Sequence, residues 1–428
     1  MSSLVFTGLA AFLLLSLLKR DWAVYLIIIL LPAYQIRFQI QGLPFTFLEG
    51  MILILAAVQF ISIILSLRAA TPTGPGAPIS RLRNEVRNNK LQLTLIGLFL
   101  LAALISIFVS PVERAAAGIF KAYFAEAVLF YFLVRLIINT REKLENVFKS
   151  LMFLVLYLSA YGLYQFVTLH NLPFSWWAVD VASRRIVSAL NHPNALALLL
   201  GPVLAMLIVK RPKNRLHWAA IILGLPAFYL TFSRAGWLAL VVTLVMHHIF
   251  SGSSLKIKDL RKGLLTILGI ITIVLAIPFS RHKLLELAGP DPSKQNRYVL
   301  WSAAADMIKK HPLAGVGLMG FHENFKNYPV GPDKVVQNYP HNIVLTFWTE
   351  TGLLGVLSML GLLVLFYKKI RLLSRMEKYR NFALAAGAGM AMIVLHSLVD
   401  VPYFKNDLSV LFWLVYALPN LTFLSSQT

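Results

Sequence analysis

The sequence contains no cysteine and few charged residues. Of its 428 residues, only 14% are Asp, Glu, Lys or Arg. The absence of cysteine excludes disulfide bonds, thiolate metal ligands and a cysteine nucleophile. The scarcity of charge excludes an ordinary soluble protein of this size, which would need a larger polar surface.

Acidic residues are scarcer than basic ones, and the motifs that use them are missing. There are 18 Asp and Glu residues against 40 Lys and Arg residues, and no D-x-D or E-x-D sequence occurs. A diphosphate site built on a divalent metal ion would need one or two such carboxylates. A P-loop is also absent, which argues against a nucleotide-sugar enzyme and an ATP-driven pump. We therefore expect no metal ion and no cofactor.

Apolar residues fill the sequence instead. They make up 58% of the chain, and the mean hydropathy is +0.71. A helix needs about 20 apolar residues to cross a bilayer. The candidate segments are 4–18, 23–40, 47–66, 91–109, 115–138, 147–168, 193–209, 217–232, 235–250, 263–279, 342–366, 381–400 and 407–424. We predict one all-α integral membrane domain over residues 1–428, with about 12 transmembrane helices and a range of 11–13.

The positions of Lys and Arg predict the orientation in the membrane. Most of these residues fall in six loops, at Lys19–Arg20, 67–91, 135–149, 210–216, 255–262 and 368–380. Basic loops remain in the cytoplasm, so the C-terminus is predicted inside and the N-terminus outside if segment 4–18 crosses. This distribution explains the net charge of +22 through membrane topology, and we expect membrane lipids as partners and no nucleic acid.

Three connecting segments stand out from the apolar runs. The cytoplasmic linker 67–91 contains TPTGPGAP, whose Pro and Gly residues favour a loop. On the outer side lie a first outer loop at 169–192 and a large outer loop at 280–341, which is long enough to cover a cavity. Helical spacing over 296–310 predicts a helix within the large loop.

Four arginines are predicted on the outer side: Arg184, Arg185, Arg234 and Arg297. Arginine at membrane depth is costly and is usually retained for a function. Several guanidinium groups facing one cavity would bind a diphosphate, because their planar forks match phosphate oxygens. The alternative is that each arginine anchors the protein to lipid headgroups.

His341 opens an apolar helix at the predicted outer surface. An imidazole can accept a proton from a sugar hydroxyl at neutral pH. Helical geometry places Gly352 and Gly355 on the same face as His341, and Glu350 on the opposite face. The alternative is a polar residue that hydrogen-bonds locally at the start of the helix.

Two other histidines and a glycine pattern have structural alternatives. His396 and Asp400 are four residues apart, so they could form a functional pair or a stabilising pair at a helix end. His192, which precedes Pro193, fits a helix start. Gly315, Gly317 and Gly320 form G-x-G-x-x-G without the strand that a dinucleotide site requires, and a tight loop is expected.

Four stretches in order resemble one known family. His341-Asn342 followed by Gly352 and Gly355 resembles the H-[NSQ]-x9-G-x-x-G signature of bacterial O-antigen ligases. HPLAGVGLMGF, SRAGWLAL and NHPNALALLL are similar to further segments of the O-antigen ligase and polymerase superfamily, over roughly residues 190–360. SRAGW differs from the more usual S-R-G-A-W by a swapped pair, which leaves Arg234 in place.

The resemblance implies an activity and roles for residues. It implies an all-helical protein of the bacterial cytoplasmic (inner) membrane that takes a glycan from undecaprenyl diphosphate, facing the periplasm or cell exterior. His341, next to Asn342, would be the base for the acceptor hydroxyl. Arg234, Arg297 and one of Arg184 and Arg185 would bind the diphosphate. Asp400 would correspond to a supporting acid.

Several functions remain open at this point. The acceptor is lipid A–core in a ligase and another lipid-linked glycan in a polymerase, while a third group glycosylates protein. A modest outer loop favours a ligase over a protein-glycosylating enzyme with added domains. A polysaccharide or lipid transporter would place ionisable groups near the bilayer centre, whereas the candidates here cluster at one face. A non-catalytic scaffold would not need His341.

Overall fold

The computed structural model describes residues 2–69, 89–174, 184–212, 214–250, 292–329 and 335–421. The helices in these ranges are α1 (Ser2–Leu18), α2 (Arg20–Ile29), α3 (Phe47–Ala69), α4 (Lys90–Val109), α5 (Glu113–Ile119), α6 (Glu126–Ile137), α7 (Arg141–Thr168), α8 (Pro193–Lys210), α9 (Arg215–Tyr229), α10 (Arg234–Phe250), α11 (Pro292–Lys310), α12 (Gly320–Phe325), α13 (Ile343–Ser374), α14 (Glu377–His396) and α15 (Asn406–Ala417). A π-helical turn, Phe120–Ala125, joins α5 to α6, and 3-10 turns cover Leu31–Gln35 and Leu418–Asn420.

Within the described ranges, six helical segments are long and apolar enough to cross a membrane. They are Phe47–Ser66, Lys90–Val109, Glu113–Ile137, Arg141–Thr168, Pro193–Lys210 and Ile343–Ser374. Two shorter apolar helices are Ser3–Leu18 and Arg234–Ile249. The protein is therefore an all-α membrane protein, as predicted, while the number of about 12 crossings stays a prediction.

Parts of the predicted organisation lie outside the described residues. These are the apolar segment 263–279, most of the linker 67–91, the middle of the first outer loop 169–192, and positions 280–291 and 330–334 of the large outer loop. The helix predicted over 296–310 lies inside α11. The division of the chain into these loops stays a prediction.

The apolar segment 23–40 does not form the single long helix that was predicted. Helix α2 ends at Ile29, and Pro32 then lies in the first turn of a short 3-10 helix. An antiparallel hairpin follows, formed by β1 (Arg37–Ile40) and β2 (Leu43–Thr46). Its two loop residues, Gln41 and Gly42, have positive φ angles, as tight hairpin turns require.

The centre of the bundle is formed by α8, α14 and α15. In α8, 83% of the residues are buried, and its most extensive packing partner is α14. Every residue of α15 is buried, although its 12 residues are too few to cross a bilayer alone. The predicted span 407–424 is therefore a short internal helix over its described part.

Helix α13 is interrupted at Gly352, whose φ of 68° and ψ of −172° are not helical. The loop between α11 and α12 fills this interruption. Val316 N–H donates to the Thr349 carbonyl at 2.7 Å, and Leu353 N–H donates to the Leu313 carbonyl at 3.0 Å. The interruption thus holds α11 and α12 against α13.

Candidate functional site

Asp400 lies at the centre of a polar cluster at one end of the bundle. It follows the end of α14, is 8% exposed, and its Oδ1 lies 3.1 Å from His341 Nδ1. Burial alone would raise the pKa of Asp400, but the hydrogen bond and charge of His341 lower it well below its ordinary value, assisted by the Val401 N–H. The carboxylate is therefore ionised at neutral pH.

His341 is held immediately before α13 and not inside it. Its φ is +51°, and the next residue, Asn342, is the N-cap, whose Oδ1 accepts from the backbone N–H groups of Val344 and Leu345. Asn342 Nδ2 donates to the Leu398 carbonyl at 2.9 Å. Two hydrogen-bonding systems therefore fix the backbone that carries the imidazole.

The common helical face predicted for His341 does not extend to Gly355. His341 lies outside the helix, and the interruption at Gly352 changes the direction of α13. Glu350 is buried on α13 and accepts hydrogen bonds from the backbone N–H groups of Met319 and Phe321. It binds the adjoining loop and not His341, in agreement with its predicted separation from the imidazole.

His396 and Asp400 do not hydrogen-bond to each other across a helix turn, because α14 ends at His396. The His396 Nε2 lies 3.3 Å from Ser233 Oγ, while the Asp400 carboxylate contacts His341. The charge of Asp400 nevertheless acts on His396. The two residues are close, but each has a different hydrogen-bond partner.

Arg185 joins the cluster through Asn194. Its Nη2 donates to Asn194 Oδ1 at 2.7 Å, and its Nε donates to the Thr231 carbonyl at 2.8 Å. Asn194 Nδ2 in turn lies 3.5 Å from Asp400 Oδ2. Burial, and then the nearby charge of Arg234, lower the pKa of Arg185 to about 10, so the Arg185 guanidinium is still protonated at neutral pH.

Arg297 approaches the cluster from α11, while Arg184 points elsewhere. Arg297 Nε donates to the carbonyl of Val399, the residue before Asp400, at 3.3 Å. Arg184 donates to the Phe166 carbonyl and lies 5.5 Å from the centre of the Phe166 ring. The structure therefore brings Arg185, Arg234 and Arg297 to the His341–Asp400 pair, but not Arg184.

The cluster carries an excess of positive charge. Three guanidiniums and one carboxylate give a formal charge of +2. The N-termini of α8, α10 and α13 also lie here, at Asn194, Ser233 and Asn342. Helix N-termini carry partial positive charge and favour anions. The arrangement is suited to a ligand with two negative charges.

The sequence interpretation missed residues that connect the cluster. Asn194 links Arg185 to Asp400, Ser233 contacts His396, and Gln337 Oε1 lies 3.5 Å from His341 Nε2. Ser233 stands directly before a helix, which is a typical N-cap signal. No local pattern distinguishes Gln337, because its contact with the imidazole depends on how the segment before α13 is folded.

The described residues offer no metal site, and their one clear cavity lies away from the cluster. Among them, no group of three His, Asp or Glu side chains is arranged to hold a metal ion. A cavity of about 320 Å³, lined by Arg141, Lys210 and Glu377, lies at the opposite ends of α7, α8 and α14. This cavity is distant from His341, and its chemistry is separate from that of the cluster.

Comparison with known proteins supports the family that the sequence motifs indicated. No curated protein sequence matches the chain significantly. Residues 219–360 match the family model described as O-antigen ligase, a range that includes Arg234, Arg297, His341 and Asn342. Arg185 and Asp400 lie outside the matched range but contact the cluster in the fold. This match over residues 219–360, in an all-α membrane protein, supports the O-antigen ligase superfamily that the sequence motifs indicated.

Proposed function

We propose that the protein is an inverting glycosyltransferase that moves a glycan from undecaprenyl diphosphate to an acceptor hydroxyl, with no metal ion. The acceptor we favour is lipid A–core, which makes the protein an O-antigen ligase. The reaction takes place at the outer face of the bacterial inner membrane. The single observation that carries this proposal is the convergence of three arginines on the His341–Asp400 pair.

The contact with Asp400 suits His341 for proton transfer. A carboxylate accepts the Nδ1 proton, which leaves a lone pair on Nε2 for the proton of an acceptor hydroxyl. The His341 side chain is 36% exposed, so Nε2 is accessible to an acceptor. Gln337 Oε1, at 3.5 Å from Nε2, occupies the position that the incoming hydroxyl would take.

The positive side chains suit the other half of the reaction. A lipid-linked diphosphate diester carries two negative charges, which equal the formal charge of the cluster in size and are opposite in sign. Arg185, Arg234 and Arg297 would bind its oxygens and stabilise the charge that develops as it leaves. Arg184 is not part of this assignment, because its guanidinium lies against Phe166.

The bonds and protons balance in one displacement. The acceptor O–H proton moves to His341 Nε2, and the oxygen attacks the anomeric carbon of the glycan. The bond between that carbon and the diphosphate oxygen breaks, and undecaprenyl diphosphate leaves with the electron pair. A single displacement inverts the configuration at the anomeric carbon. The proton on His341 is then released to water or to the leaving diphosphate.

The direct test uses purified protein in EDTA with an undecaprenyl-diphosphate oligosaccharide. One tube receives lipid A–core, a second receives no acceptor, and both are repeated with His341→Ala. We expect transfer to lipid A–core alone, with a loss of about 100-fold or more in the variant. Normal transfer by His341→Ala would contradict the assignment of the base.

Two other outcomes would redirect the proposal. Growth of a glycan ladder without an added acceptor would identify a polymerase that uses the same cluster. Movement of the lipid-linked glycan between leaflets of a vesicle, without any new glycosidic bond, would identify a transporter. The ionisable candidate residues lie at one end of the bundle, which favours a transferase over a transporter that works by alternating access.

A further inference from the structure

Ser233 controls the start of the helix that carries Arg234. It precedes α10, and its Oγ accepts from the backbone N–H of Gly236 at 3.3 Å, which is the bond that an N-cap residue makes. Arg234 is the first residue of α10. The Ser233 side chain therefore caps the first helical turn, which carries Arg234.

His396 is the side chain that holds Ser233. His396 is the last residue of α14, and its Nε2 lies 3.3 Å from Ser233 Oγ. Gly236 leaves room for the imidazole, because an added Cβ would lie 3.1 Å from His396 Cε1. The contact thus joins the end of α14 to the start of α10 through one side-chain pair and one glycine.

His396 is enclosed and does not reach a substrate. It is 1% exposed, yet the charges of Asp400 and Arg297 both act on it. It therefore lies behind the cluster, next to the residues assigned to proton transfer and to the diphosphate. A side chain in this place can affect the reaction by holding other groups in position.

We propose that His396 is a positioning residue, which acts through Ser233 to fix Arg234 towards the donor diphosphate. This inference rests on the proposed function, because it needs Arg234 to bind the donor. It assigns no proton transfer to His396. It predicts that His396, Ser233 and Arg234 act as one unit on the donor and not on the acceptor.

The test is a set of double-mutant cycles with steady-state kinetics for both substrates. His396→Phe keeps a ring and removes Nε2, and Ser233→Ala removes the hydroxyl. We expect each to lower kcat/KM for the donor about 10-fold, the size of a lost hydrogen bond to or near a charged group. The KM for the acceptor should stay within about twofold, and the double variant should be no worse than the poorer single one.

The decisive measurement repeats both substitutions in an Arg234→Ala background. A unit that acts through Arg234 has no further effect once the guanidinium is gone, so kcat/KM should stay within about twofold of Arg234→Ala alone. A role in general stability would instead reduce active protein equally in both backgrounds. His217→Phe is the matched control, because His217 is also 1% exposed but bonds the Leu207 carbonyl near the opposite end of α8.

The outcomes separate this inference from the proposed function. Unchanged donor kinetics in Arg234→Ala would overturn the diphosphate assignment itself. A large loss in Arg234→Ala, with normal kinetics in Ser233→Ala, would overturn the inference alone. If His396→Phe does not fold, His396→Gln and Ser233→Ala in the two backgrounds decide the question. Additive losses, or a raised KM for the acceptor, would also contradict the proposal.

Discussion

Two arginines that are adjacent in the chain have very different surroundings. Arg185 hydrogen-bonds Asn194 and lies near the charge of Arg234, whereas Arg184 packs on the Phe166 ring. Like charges held together at a buried site are unfavourable unless an anion joins them. Arg185 is therefore expected to affect donor binding, and Arg184 is expected to serve local packing.

We predict that Arg185→Ala lowers kcat/KM for the lipid-linked donor about 10- to 100-fold, the cost of one or more lost charge-assisted hydrogen bonds. Arg184→Ala should change it by less than about threefold. The two variants remove the same side chain from adjacent positions, so each controls for the other. Transfer kinetics at several donor concentrations provide the measurement, and the reverse order of effects would assign the diphosphate to Arg184.

Asp400 connects the two halves of the proposed reaction, since it contacts His341 on one oxygen and Asn194 on the other. Replacement by Asn keeps the size of the side chain but removes the charge that favours the Nδ1 proton on His341. We predict that Asp400→Asn lowers kcat about 100-fold, with a smaller effect on donor KM. A raised donor KM with normal kcat would place Asp400 in binding instead.

The lowered pKa of Asp400 also predicts a dependence of stability on pH. The pKa is lower in the folded protein than in the unfolded chain, so the ionised carboxylate stabilises the fold above the unfolded value of about 4. This stabilisation is lost as the pH falls through the folded pKa. The difference in melting temperature between wild type and Asp400→Asn in detergent should therefore be larger at pH 6 than at pH 3.5. An equal difference at both pH values would contradict the pairing.

At the scale of elements, the break in α13 is what attaches the loop between α11 and α12. Gly352 adopts φ +68° and ψ −172°, which L side chains avoid, and an added Cβ would overlap the Leu313 carbonyl oxygen. The carbonyl and N–H groups released by the break bind Val316 and Leu313. Helix α11, which carries Arg297, is thereby held to the helix that follows His341.

We predict that Gly352→Ala destabilises the protein by at least about 2 kcal/mol, through backbone strain and displacement of the loop. The residual activity should show a raised KM for the donor, because Arg297 moves with α11. Gly97→Ala is the matched control, since a Cβ at Gly97 meets no atom within 4 Å and alanine favours a helix. Melting temperature in detergent measures the effect, and equal values for both variants would contradict it.

At the scale of the whole molecule, the two ends of the bundle differ in chemistry. The end with His341 holds the candidate site, whereas the opposite ends of α8 and α14 carry Lys210, Glu377 and Lys378. Lys210 is buried against the rings of Phe148 and Phe382 and paired with Glu145 at 2.7 Å. Basic residues retained at this end are consistent with a cytoplasmic face.

The absence of native cysteine allows a direct test of this orientation. We predict that a cysteine at His311, which is exposed directly after α11 in the predicted outer loop, reacts with a membrane-impermeant maleimide added to intact cells. A cysteine at Asn381, at the opposite end, should react only after the membrane is opened. The wild-type chain, with no thiol, gives the background. The opposite labelling pattern would place the site in the cytoplasm and exclude transfer to lipid A–core at the outer face.

The sequence by itself determined the class of the protein and its chemical groups. Apolar runs of membrane length predict an all-α membrane protein, because a backbone in lipid must satisfy its hydrogen bonds internally. The motifs around Arg234, Gly315 and His341 predicted the superfamily, and the family match over 219–360 confirmed it. These are properties of local composition and spacing, which a sequence displays directly.

The tertiary structure decided which of those groups meet. It selected Arg185 over Arg184, paired Asp400 with His341 and not with His396, and joined His396 to Ser233. It also replaced the second half of segment 23–40 with a 3-10 turn and the first strand of a hairpin. These choices depend on contacts between residues far apart in the chain, and on where each helix begins and ends. Helical periodicity cannot predict them, because the deciding residues lie at the ends of helices or just beyond them.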